Sequence, residues 1–96
     1  MILGHKYQVQ VTQIPDEDST TVCGISDHIE YTIKINECLS QEMRLNTLIH
    51  EICHQILAIS GLTKLLRDNM EESICESLGT GLCNVLTSNF VELIKE

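Results

Sequence analysis

The chain has 96 residues, enough for one small domain whose core buries only a modest share of its surface. Fourteen acidic against six basic residues give a formal net charge of −8, no Lys/Arg cluster exists to contact phosphates, and two Tyr and one Phe are too scattered to stack bases, so nucleic acid is excluded as a partner. Hydrophobic residues at 43% with charged residues at 21% describe a chain that folds rather than a disordered acidic tail.

The first strand signal is Tyr7 to Val11, where apolar residues alternate with Gln8 and Gln10 and direct Tyr7, Val9 and Val11 inward. Pro15-Asp16-Glu17-Asp18-Ser19 is a turn by composition. The β-branched Thr20, Thr21 and Val22 that follow predict a return strand, ended or bulged by Gly24. Ile29, Tyr31, Ile33 and Ile35 alternate with Glu30, Thr32 and Lys34, the clearest strand pattern in the chain. Three short strands predict a small antiparallel sheet.

Beyond Ser40 the apolar period becomes helical. Leu45, Leu48, Ile49, Ile52, Cys53, Ile56 and Ile59 form one stripe, with Arg44, Thr47, Glu51 and Gln55 opposite and Gly61 as a left-handed stop. After a linker from Thr63 to Asn69, a second amphipathic stretch runs through Ile74, Cys75, Leu78, Leu82, Val85 and Leu86. Gly79 and Gly81 within it permit close approach to the first helix. Ser88-Asn89 breaks or recaps this helix before Phe90 to Ile94. The fold class expected for residues 1–96 is therefore a single α+β domain, a small antiparallel sheet of about three strands packed on two helices.

The first helix carries His50-Glu51-Ile52-Cys53-His54, an HExxH pentapeptide. Residues four apart on a helix lie one above the other, so both imidazoles can close on one ion, and zinc is the expected cofactor. Glu51 projects beside the pair, where its carboxylate can serve as general base toward a zinc-bound water. A catalytic zinc needs a third protein ligand, and no histidine follows His54, which excludes the long metzincin pattern. The remaining candidates are Asp68, Glu71, Glu72, Cys75, Glu76, Cys83 and Glu92, with a glutamate at the start of the second helix the economical choice.

Asn46-Thr47-Leu48-Ile49-His50-Glu51-Ile52-Cys53-His54, followed by Glu71-Glu72-Ser73-Ile74-Cys75-Glu76-Ser77-Leu78-Gly79-Thr80-Gly81-Leu82, resembles the gluzincin branch of the zincin metallopeptidases. It looks in particular like the small zincin-like proteins of phages and prophages, over roughly residues 22 to 90. The resemblance implies a minimal zincin fold, a glutamate on the second helix as third zinc ligand, and hydrolysis of a peptide or protein substrate. Between the two glutamates, Glu72 is favoured because it shares a ridge with Cys75, Glu76 and Gly79, whereas Glu71 lies nearer Ile74 and Leu78.

Plainer readings stand beside these. Asn69 with Glu72, or Asp68 with Glu71, has the spacing of a capping box. Cys53 and Cys75 read as buried small hydrophobes, and His5 and His28 as turn or surface residues. For the oxyanion of a tetrahedral intermediate the nearby candidates are Tyr31, His28 and Arg67. The strand from Ile29 to Ile35 offers an edge on which a substrate peptide could add, or is a plain core strand. Five cysteines without a CxxC pair, no signal-peptide pattern and no apolar run near the ~20 residues of a membrane span predict a reduced cytoplasmic setting without membrane association. The alternatives to a peptidase are a non-catalytic zinc-stabilised interaction module and a phage regulatory or assembly protein.

Overall fold

A computed structural model describes residues 1–86. The predicted recapping at Ser88-Asn89, the segment Phe90 to Ile94 and the candidate ligand Glu92 lie outside the described residues. The elements are strands β1 (Gln8–Thr12), β2 (Gly24–Asp27) and β3 (Thr32–Asn36), helix α1 (Gln41–Ser60), a short 3-10 turn (Leu62–Leu65) and helix α2 (Asp68–Asn84). This is a small α+β fold in which a three-stranded sheet packs on α1 and α2 packs on the other side of α1.

The sheet is mixed rather than all-antiparallel. Its order is β1-β3-β2, with β3 pairing antiparallel to β2 and parallel to β1. The cause lies in the connection between β1 and β2. Asp18 and Ser19 both take positive φ, closing a tight turn that pairs Glu17 with Thr20, so the expected return strand at Thr20 to Val22 is spent on that turn. The chain then passes to the far side of β3 before Gly24 opens β2, instead of ending a strand. Asn36, buried at the end of β3, holds this connection by donating from Nδ2 to the carbonyls of Ile14 and Val22 at 3.3 and 2.9 Å.

The β2–β3 turn also falls later than alternation predicts. Asp27 Oδ1 accepts hydrogen bonds from the backbone N–H groups of Ile29 and Glu30, and Tyr31 takes φ 54°. These two bonds hold the Asp27 carboxyl below its ordinary range. Ile29 is consequently a turn residue, 75% exposed, and β3 begins only at Thr32. β3 is also the central strand, so it offers no free edge.

Ile33 and Ile35 form the buried face of β3. Val9 and Val11 lie opposite them in register and so point to the same side, but each is 49% exposed, because α1 covers β2 and β3 and leaves β1 at the margin. Within β1 the half-buried residues are Gln10 and Thr12, so the inward burial that alternation predicts for Val9 and Val11 is not realised.

α1 begins at Ser40, whose Oγ accepts from the Met43 N–H, and ends at Gly61 with φ 84°. It is buried on two sides. Ile49 and Cys53 face α2 with Cys75 and Cys83, flanked by Leu45 and Leu57. The ridge expected to face solvent instead meets the sheet, where Thr47 and Gln55 are buried. Two contacts explain this. A side chain at Gly24 would come within 2.6 Å of Thr47 Cγ2 and 3.3 Å of Glu51 Cγ, so the glycine lets β2 lie close under the helix. The Tyr7 hydroxyl donates to Gln55 Oε1 at 2.6 Å, which satisfies a buried carbonyl. Burial, then the nearby Tyr31 and Asp27, raise the Tyr7 phenol above its ordinary range, so it remains a donor. Tyr7→Phe is expected to cost about 1–3 kcal/mol, measured by chemical denaturation, because the Gln55 carbonyl is left buried without its partner.

Candidate metal centre

The site forms where α1 and α2 run antiparallel. Gly79 abuts α1 at His50, and a Cβ there would stand 3.3 Å from the His50 backbone nitrogen and 3.4 Å from its Cα. Together with the buried Cys75, this small residue lets α2 approach closely enough for acids two turns earlier to reach both histidines. Gly79→Val should therefore push the helices apart. The expected loss is about 1–3 kcal/mol of stability, read by melting, together with weaker metal binding.

His50 Nε2 and His54 Nε2 lie 3.1 Å apart. The Glu72 carboxylate spans them, with Oε1 at 2.9 Å from His50 Nε2 and Oε2 at 3.0 Å from His54 Nε2. These separations are close to the about 3.3 Å edge of a tetrahedron with bonds of ~2.0–2.1 Å, the geometry of zinc with nitrogen and oxygen ligands. A ligand atom of Glu51 also falls within 4.8 Å of those of His50 and His54, but the Glu72 oxygens lie closer to the imidazole nitrogens. Glu72 thus converges with the pair and Glu51 stands beside it.

Glu71 takes a different position. His54 Nδ1 donates to Glu71 Oε2 at 2.7 Å, and since an ionised carboxylate only accepts, the proton in this bond belongs to Nδ1. Burial works against a charge on Glu71, but the Thr63 hydroxyl and His54 outweigh it and hold this carboxyl below its ordinary range. With Nδ1 committed to Glu71, Nε2 is the His54 ring atom that faces Glu72 and His50. Glu72 lies between the two Nε2 atoms, where a proton on a ring nitrogen or a cation satisfies its oxygens, and two imidazole nitrogens with a carboxylate are a donor set that fits a bound metal.

The capping-box role for either glutamate is not observed. α2 begins after Arg67, which gives no side-chain cap, and its carbonyl receives the N–H groups of Met70 and Glu71. Both glutamates turn toward the histidines instead.

A cleft of about 460 Å³ opens beside the site, lined by Cys23, Gly24, Met43, Asn46, Thr47, His50, Glu51, Glu72, Glu76 and Thr80. Tyr31, His28 and Arg67 are absent from its lining. Tyr31 stacks on His5 with ring centroids 4.7 Å apart and meets Tyr7 edge-on, and His28 is exposed in the β2–β3 turn. Asn46 and Thr80 are, with Thr47, neutral hydrogen-bonding groups of the cleft that lie outside the HExxH motif. Their sequence signal is helical phase, Asn46 one turn before His50 and Thr80 two turns after Glu72.

Cys53 and Cys75 lie buried in the helix seam. Burial above all, then Cys53 and the acids Glu71, Glu72 and Glu51, push the Cys75 thiol up to about 12, so it packs as a small apolar group. No helix among the described residues is long and apolar enough to cross a membrane. No family model matches the chain, and neither a curated protein nor a solved structure does.

Proposed function

We propose that the chain is a zinc-dependent peptide hydrolase of minimal gluzincin type, in which His50, His54 and Glu72 hold the ion and Glu51 is the general base. The meeting of two imidazole nitrogens and a carboxylate at 2.9 to 3.1 Å, with His54 Nδ1 held by Glu71, carries this conclusion. Two imidazoles and one carboxylate are a donor set of catalytic zinc, which leaves a coordination position for water or substrate. When bound, the ion supplies acidification of a water and polarisation of the scissile carbonyl.

The remaining work belongs to the chain. Glu51 lines the cleft beside the histidine pair, where its carboxylate can take a proton from the attacking water and return it to the leaving amine. Glu71 keeps the His54 ring in one orientation and one tautomer and strengthens Nε2 as a donor to the ion. Cys23 and Gly24 bring the start of edge strand β2 to the cleft, and an extended peptide laid along that edge would pass over His50 and Glu51. Asn46 and Thr80 are placed to hold its carbonyl groups. With no Arg, Lys or Tyr in the cleft lining, the oxyanion relies on the metal and these neutral groups, which predicts slow or selective cleavage.

That same gap favours the second reading, a zinc-stabilised interaction module without catalysis. Unstructured peptides incubated with the zinc-loaded chain and analysed by mass spectrometry test the first. Cleavage should stop when the metal is stripped and return when zinc is restored. Cleavage indifferent to the metal, or none from a fully loaded chain, defeats the peptidase.

A further inference from the structure

α2 presents two unlike faces. The inner one, with Cys75, Gly79 and Cys83, is buried against α1. The outer one carries Met70, Ile74, Leu78 and Leu82 in a row of i, i+4 steps, each between 36% and 48% exposed. Beside this row runs a second of Ser73, Ser77 and Gly81. Of the helix's four acids, Asp68 and Glu72 fall outside this face, Glu71 lies beside Ile74 and Leu78 but turns inward to His54, and Glu76 borders the small row.

Gly81 supplies a separate observation. A glycine inside a helix costs about 1 kcal/mol relative to alanine. Gly79 is required by the His50 backbone, but a Cβ at Gly81 would meet nothing within 4 Å. Nothing among the described residues asks for a glycine there, whereas a second helix crossing close over that point would.

We propose that two copies of the chain associate through this face, α2 against α2 in antiparallel sense. A bulky row beside a small row is self-complementary about a two-fold axis, since Ile74, Leu78 and Leu82 of each copy seat along Ser73, Ser77 and Gly81 of the other. The crossing falls near Ser77 and Leu78, midway along the exposed row. Each chain of net charge −8 repels its copy over most of its surface, and the outer row of α2, with Glu71 paired to His54 and Glu76 at its border, is where contact costs least. The exposed apolar area of the row with Val85 is roughly 400 Å² per copy, and with Ser73, Ser77 and Gly81 counted the total is about 1,000 Å², the small end of specific interfaces and in keeping with a weak dimer. The contact also clamps from outside the helix that bears Glu71 and Glu72.

Sedimentation velocity on the full chain, with and without zinc, tests the association independently of any hydrolysis. Wild type is expected to be dimeric at about 100 µM, with a micromolar dissociation constant. Leu78→Glu should weaken the dimer by about 100-fold or more by burying a charge at its centre. Leu65→Glu, at an exposed apolar residue of the 3-10 turn, should leave it unchanged. Gly81→Leu guards against misfolding, because leucine favours helix over glycine and its Cβ meets nothing among the described residues, so it should abolish the dimer while the circular dichroism stays helical. A monomeric wild type at that concentration, or a dimer that survives both Leu78→Glu and Gly81→Leu, overturns the proposal.

Discussion

Zinc added to the metal-free chain is expected to raise its melting temperature by roughly 15 °C or more. An ion that binds only the folded state stabilises by ~4 kcal/mol when free zinc is about 1,000 times its dissociation constant. A domain of this size shifts by ~4–8 °C per kcal/mol. The two neighbouring glutamates should separate in the same experiment. Glu72→Ala removes a ligand and should abolish most of the shift. Glu71→Ala leaves the ligands in place but frees the His54 ring, for which a loss of about 10–100-fold in zinc affinity is expected. His54→Ala should bind least. A chain whose melting ignores zinc has no such site, and one hurt more by Glu71→Ala than by Glu72→Ala has the two roles exchanged.

Glu51→Gln should lower peptide hydrolysis by about 10²–10⁴-fold while zinc content and melting temperature remain near those of wild type. The amide keeps the volume of the carboxylate, so the contact of the Glu51 stem with β2 near Gly24 is retained. It cannot take a proton from water, which isolates the base from the ligands. The informative comparison is with His50→Ala, which should lose zinc and hydrolysis together. Equal hydrolysis by Glu51→Gln and wild type would remove Glu51 from the mechanism. A zinc-dependent fold that hydrolyses nothing would leave the interaction module as the function.

The helices were legible because their signals are local and redundant. Ser40 caps, Gly61 stops, and the apolar period between them runs for many turns. The HExxH geometry follows from that period alone, since i and i+4 on any helix share a face. The strands were less legible because competing turn chemistry decided where they begin. Asp27 captured two backbone N–H groups and converted Ile29 to Tyr31 from strand to turn, and Asp18-Ser19 did the same to the expected return strand. The sheet-facing polar ridge of α1 was beyond sequence patterning, because Thr47 and Gln55 look solvated until Gly24 and Tyr7 are known to meet them. Glu71 and Glu72 are adjacent in the chain. Only the close packing at Gly79 shows that one reaches both imidazoles and the other the back of His54.

The seam sets Cys75, Gly79 and Cys83 of α2 against Ile49 and Cys53 of α1, and both glutamates that reach the histidines belong to α2. An outward swing of α2 is the partial opening that would disturb the site most. Such an excursion carries both carboxylates away in one movement. An ion held there would lose its carboxylate support whenever α2 undocks, so faster opening of α2 would shorten its residence time.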